Sequence, residues 1–208
     1  MPNDATAAAM RAAGVPEEKI RVTGFPVPLV FAGPAPPRDG AVFEVLFMVN
    51  SAHHLAAAVV EALVKIDSIH LTVTVGREAG LDRAIEAIAK AAGKPIEVHG
   101  WTPDISNLIR RSHLLISKAG GATVQEALAA RTPMIITQIV PGQEEGNARL
   151  LIESGAGELA TTPAAIAEAV RRTFANGGRL YRERFAATSP LSHPDAARKA
   201  AAFLESLS

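Results

Sequence analysis

Leu114-Leu115-Ile116-Ser117-Lys118-Ala119-Gly120-Gly121-Ala122-Thr123-Val124-Gln125-Glu126-Ala127 joins a short apolar run to a helical run through a pair of glycines. The apolar run has the length and continuity of a strand buried on both faces, and the residues from Thr123 onward have the composition of a helix. Adjacent glycines at such a turn let a ligand approach the backbone. The helix behind them offers unsatisfied N–H groups and a partial positive charge that favour a phosphate. Lys118 adds a charge at the same mouth. The pattern is neither a Walker loop nor G-x-G-x-x-G, so a second reading stays open: a tight strand-to-helix turn in which Thr123-Val124-Gln125-Glu126 forms a capping box.

The same alternation extends in both directions. Strand-like runs occur at 42–49, 69–75, 96–98, 114–117 and 134–137, with helical stretches at 52–65, 80–92, 104–111, 123–130 and 144–154. Right-handed crossovers through those helices give an α/β fold, a Rossmann-like parallel sheet with flanking helices, whose ligands sit outside the carboxyl ends of the strands. After Gly155 the chain reads as helical at 163–175, 178–187 and 194–207. Ahead of the sheet, residues 4–13 read as a short helix closed by Gly14 and residues 19–23 as an extended piece. Five prolines and two glycines crowd residues 26–40, which marks a linker. The expected organisation is therefore a leading segment at 1–25, a hinge at 26–40, the main domain at 41–192 and a closing helix at 193–208.

Composition narrows the function classes. The 208 residues carry 21 basic and 21 acidic side chains, so no overall field draws the chain to nucleic acid, and none is expected as a partner. The absence of cysteine removes disulfides, thiol redox chemistry and thiolate metal sites. No apolar run approaches the roughly 20 residues that span a bilayer, and Met1-Pro2-Asn3-Asp4 lacks the basic and apolar regions of a secretory signal. A cytoplasmic location is expected, and peripheral membrane association is compatible with it.

The next loop, Gln138-Ile139-Val140-Pro141-Gly142-Gln143-Glu144-Glu145-Gly146-Asn147, gathers amides and carboxylates around two glycines at a second strand end. Such groups bind adjacent sugar hydroxyls as donors and acceptors, although a solvated polar loop has the same composition. His53 and His54 are adjacent instead of four residues apart, which argues against a helical metal pair, and no metal is expected. Lone His70, His99 and His113 at strand ends read as structural.

Taken together, His99-Gly100-Trp101-Thr102, the run Ser117 to Thr123 with Glu126-Ala127, and Pro141-Gly142-Gln143-Glu144-Glu145-Gly146-Asn147 resemble the C-terminal domain of glycosyltransferase family 28. The nearest likeness is to monogalactosyldiacylglycerol synthases and processive diacylglycerol glucosyltransferases. The resemblance implies the C-terminal half of the two-domain GT-B architecture and an inverting transfer of a hexose from a uridine diphosphate sugar to a lipid acceptor. That donor is a substrate, and no cofactor is implied. By the same resemblance Trp101 and Thr102 hold uracil, and Glu126 accepts from the ribose. Lys118, Gly120, Gly121, Ala122 and Thr123 surround the diphosphate, and Gln143, Glu144 and Asn147 line the sugar pocket. The general base and the acceptor site belong to the N-terminal half, of which residues 1–25 are expected to be a remnant, so no catalytic residue is assigned within this chain and the chain alone is expected to be inactive.

Two departures qualify the likeness. Where the family places a glycine-rich loop after the first strand, this chain has Val49-Asn50-Ser51-Ala52-His53-His54. Thr23-Gly24-Phe25-Pro26-Val27-Pro28 resembles the family's hinge with Pro28 in place of an arginine, leaving Lys118 or Arg77 to supply a cation. They motivate an alternative in which the domain binds a nucleotide sugar or acts as a scaffold without turnover. A uridine diphosphate N-acetylglucosamine 2-epimerase shares the architecture and the Gly-Gly-to-Glu turn, but it expects an Arg-Pro-rich segment that Arg131-Thr132-Pro133 does not resemble.

Overall fold

The computed structural model describes residues 1–36, 38, 42–49, 53–78 and 80–207, with His53 described by its backbone alone. Residues 50–52, within the altered loop after the first strand, lie outside the described residues. The elements in order are α1 (Asp4–Ala12), β1 (Phe43–Met48), α2 (Ala56–Leu63), β2 (Ile69–Gly76), α3 (Leu81–Ala92), β3 (Ile96–Gly100) and α4 (Ile105–Arg111). They continue with β4 (Leu114–Ser117), α5 (Gly121–Ala129), β5 (Met134–Ile136), α6 (Glu145–Glu153), β6 (Gly157–Leu159), α7 (Pro163–Ala187) and α8 (Ala196–Glu205). Six parallel strands stand in the order β3-β2-β1-β4-β5-β6. The expected Rossmann-like α/β sheet is thus the one found, with a sixth strand added.

Period-two alternation divides each strand between two cores. Val45, Phe47, Leu114, Ile116 and Ile135 face α2 and α7, while Leu46, Leu115, Met134 and Ile136 face α5 and α6. Nearly every central strand residue is therefore apolar, because both faces are covered. Val27 and Phe31 of the proline-rich segment are buried in the second core, so the described part of that segment is packed onto the domain. No strand forms at 19–23; a 3-10 turn at Glu17–Lys19 is followed by irregular chain whose Thr23 amide donates to the Met1 carbonyl at 3.2 Å.

β6 escaped the sequence reading because Gly157-Glu158-Leu159 has no apolar run, and its pairing with β5 is what makes it a strand. Glu158 is fastened there by Arg184, at 2.6 Å, and by Arg172. The two helices expected at 163–175 and 178–187 are the halves of α7, interrupted by non-helical backbone at Ala175, Asn176, Gly177 and Gly178.

The chain winds outward from β1 through β2 to β3 and then returns to β1's other edge for β4, β5 and β6. The switch point lies between β1 and β4, and the crevice beyond the carboxyl ends there is where this topology receives ligands.

Gly157 tests the edge pairing. A Cβ at this position would lie 2.6 Å from the Met134 carbonyl oxygen, a backbone atom that cannot swing away. Gly146 in α6 has open space around it, and alanine there lowers the entropy of the unfolded chain. Gly157→Ala is expected to cost about 1–3 kcal/mol and Gly146→Ala to gain up to about 1 kcal/mol, so their urea midpoints should move in opposite directions.

Candidate functional site

The turn after β4 and the loop after β5 occupy the same rim of the sheet and are bonded to each other. The Thr137 amide donates to Ser117 O at 2.9 Å and the Ala119 amide to Gln138 O at 3.1 Å, extending the β4–β5 pairing past the strand ends. Asn147, one turn into α6, donates its Nδ2 to Ala119 O at 3.1 Å. Lys118 Nζ forms an ion pair with Glu144 Oε1, and Glu144 Oε2 accepts from the Val140 amide at 2.9 Å. Glu144 is 5% exposed and Lys118 is 31% exposed, so the carboxylate is sealed while the ammonium reaches the surface.

Gly120 fits this arrangement for a spatial reason. Its φ of −62° is open to any residue, but a Cβ there would stand 3.1 Å from Lys118 Nζ. A side chain at Gly120 would push against the ion pair that joins the loops.

Helix α5 starts at Gly121, three residues earlier than the capping-box reading requires. Thr123 is therefore the third helical residue and not the cap, and Gly120, the actual cap residue, has no side chain to give. The capping-box alternative is not realised. Among the described residues no acceptor meets the amides of Gly121, Ala122 and Thr123, whereas the Val124 amide is already bonded to Gly120 O at 2.9 Å. The tip thus presents unsatisfied donors and the positive end of the helix dipole to the switch point.

Glu126 lies one turn farther on, on the face that carries Ala122 and Thr123. Its half-buried carboxylate has no hydrogen-bond partner among the described residues, and burial pushes its pKa up from the ordinary glutamate value. A carboxylate held in this state gains from any hydroxyl brought to it.

The third group stands at the far side of the same rim. Trp101 follows β3 and is 64% exposed, with the Arg77 guanidinium 5.6 Å from its ring centroid. Thr102 Oγ1 accepts from the Asp104 amide at 3.1 Å and shapes the turn into α4. Three inter-strand spacings separate β3 from β4, or about 14 Å, the reach of an extended nucleotide.

The structure thus brings Lys118, Gly120, Gly121, Ala122, Thr123, Glu126, Glu144 and Asn147 together, with Trp101 and Thr102 across the crevice on the same rim. Gln143 is exposed at the outer edge of the loop. Neither cation proposed to replace the hinge arginine stands alone: Lys118 is engaged by Glu144, and Arg77 covers Trp101. The lone histidines are structural. His70 bonds Glu44 at 2.7 Å, His99 bonds Glu97 at 2.8 Å, and buried His113 bridges the Glu44 amide and the Arg38 carbonyl, its pKa lowered chiefly by burial. Among the described residues no group of His, Asp and Glu is placed to hold a metal, and no helix is long and apolar enough to cross a membrane. Sequence reasoning missed the loop-to-loop contacts, since nothing in one linear run states that Lys118 and Glu144 will meet.

Comparison with known proteins identifies the family and the fold. The model of the family described as glycosyl transferases group 1 matches residues 43–176. The processive diacylglycerol beta-glucosyltransferase of Bacillus subtilis (strain 168) is 29% identical over 181 residues, covering 81% of this chain and 47% of the relative. The chain therefore spans about half the length of that relative. Among solved structures, the UDP-GlcNAc 2-epimerase from Neisseria meningitidis bound to UDP-GlcNAc superposes with a TM-score of 0.70 at 14% identity, covering 99% of this chain and 60% of that one. MurG from Acinetobacter baumannii gives 0.64 at 18% identity, covering 81% and 51%. These likenesses establish the fold as one half of the GT-B architecture.

Glu126→Gln isolates the cost of the desolvated carboxylate. With its folded pKa above the unfolded one, the carboxyl group contributes stability at low pH that is lost as pH rises through the folded value. The glutamine variant carries no such loss. It should therefore melt above the wild type at pH 7, with the difference closing below about pH 4, as read by thermal denaturation across pH.

Proposed function

The chain belongs to the glycosyl transferases group 1 family, and from that premise we propose that it is the donor-binding half of an inverting glycosyltransferase that takes a uridine diphosphate sugar and passes its hexose to a lipid hydroxyl. The observation that carries the reading is the uncapped tip of α5 at the sheet's switch point, with the Glu126 carboxylate, which has no partner among the described residues, one turn behind it. Anion and hydroxyl recognition thus lie side by side on one helix.

In this reading the diphosphate rests on the amides of Gly121, Ala122 and Thr123, supported by the Lys118 ammonium. Glu126 accepts from the ribose hydroxyls. Uracil lies at Trp101 and Thr102, with the backbone of Thr102 reading its edge. The sugar meets Gln143 and Asn147, whereas Glu144 serves chiefly as the brace beneath them because both its oxygens are occupied. Fixed amides aimed at the diphosphate stabilise the negative charge that grows on it as the glycosidic bond breaks, and they do so without reorganising. The acceptor and the general base are supplied by an N-terminal domain of the whole enzyme. A glucosyl donor and a diacylglycerol-like acceptor are favoured by the name of the Bacillus subtilis relative. The epimerase neighbour at 14% identity supports no more than the shared fold.

Calorimetric titration of the purified chain tests the proposal. Uridine diphosphate should bind more tightly than adenosine or guanosine diphosphate. Glu126→Ala should weaken uridine diphosphate by about 10- to 100-fold, the worth of a hydrogen bond to a charged group, while leaving uracil alone unaffected. The absence of any uridine preference would remove the transferase reading.

A further inference from the structure

The opposite rim of the sheet, at the amino ends of the strands, gathers several arginines. Arg38, Arg110, Arg131 and Arg182 form no ion pair with a carboxylate among the described residues. Arg38 is partly buried and spends its donors on main-chain carbonyls at the ends of α4 and α5, reaching Arg110 O at 2.7 Å, Ala130 O at 2.8 Å and Arg131 O at 3.2 Å. It feels the charges of Arg131 and Arg110 as neighbours. Arg131 lies over the Phe185 ring, its guanidinium carbon 4.1 Å from the centroid, and its buried Nε has no hydrogen-bond partner among the described residues. Arg182 is exposed and donates to Gly177 O at 2.6 Å.

Arg38, Arg131 and Arg182 line a cavity of about 630 Å³ whose walls also include Pro36, Ala130, Tyr181 and Phe185. The volume falls in the range of small-molecule sites, and the mixture of apolar wall with a few charged groups is their usual composition. Like charges crowded at a partly buried place raise the free energy of the empty protein, and an anion relieves it. Guanidinium groups bind carboxylate and phosphate through paired hydrogen bonds.

We propose that this cavity is a second ligand site, remote from the donor crevice, for a small amphiphilic anion: an apolar body carrying one carboxylate, sulfonate or phosphate group. The anion sits between Arg131 and Arg182, and the body lies against Pro36, Tyr181 and Phe185.

The test uses 8-anilinonaphthalene-1-sulfonate and its uncharged counterpart N-phenyl-1-naphthylamine, followed by fluorescence. The sulfonate should bind at least ~10-fold more tightly, the scale of a charge-assisted hydrogen bond. The double variant Arg131→Asn, Arg182→Gln should abolish that preference while leaving uridine diphosphate binding unchanged. Asparagine is chosen because Arg131 has φ 57°, a left-handed conformation that asparagine adopts readily, and circular dichroism verifies the variant's fold. Octyl phosphate should displace the dye at concentrations where inorganic phosphate does not. Equal affinity for the two dyes, sulfonate binding that survives the double variant, or equal displacement by inorganic phosphate would each overturn the proposal.

Discussion

Glu144 is buried beneath the loop it closes, and its two carboxylate oxygens hold different parts of the chain: Lys118 on one, the Val140 amide on the other. Besides this carboxylate, the Thr137–Ser117, Ala119–Gln138 and Asn147–Ala119 bonds join the loop after β5 to the β4 turn. A sealed carboxylate is costly unless every oxygen is satisfied, and here one oxygen meets a cation and the other a backbone donor. The pair serves geometry more than stability. It fixes the separation between the α5 tip and the start of α6, and therefore the shape of anything that binds across both.

That brace explains why the neighbouring groups are left unsatisfied. The first amides of α5 have no cap, and Glu126 has no partner among the described residues, although a serine or aspartate in place of Gly120 would supply a cap. A side chain there would press on the Lys118 ammonium, its Cβ 3.1 Å from Nζ, so the space that admits the ion pair is also the space that leaves the tip open. Local stability is given up where a ligand's oxygens and hydroxyls are to enter, and the two apolar cores on either face of the sheet carry the cost.

Much of this was legible in the sequence, and the parts that were not have identifiable reasons. Strands β1, β2, β4 and β5 announce themselves as apolar runs because both faces of a parallel sheet are covered. β6 does not, because three residues beginning with glycine carry no period; only the edge of β5 defines it. The segments Pro141 to Asn147 and Ser117 to Glu126, which carry the resemblance to one family, lie together on one rim. The resemblance assigned Glu144 to the sugar, whereas burial turns its carboxylate toward Lys118. The capping-box pattern at Thr123 was a true match to a motif that the helix start bypassed by three residues. Local pattern names the residues of a site; which of them face one another is decided by the order of strands, and that order is a tertiary fact.

The most direct measurement is a crystal structure of the chain with uridine diphosphate bound. The account requires diphosphate oxygens within hydrogen-bonding distance of the Gly121, Ala122 and Thr123 amides, a ribose hydroxyl on Glu126, and an unbroken Glu144–Val140 contact. Nucleotide located away from the α5 tip, or bound there with the two loops moved apart, would contradict it.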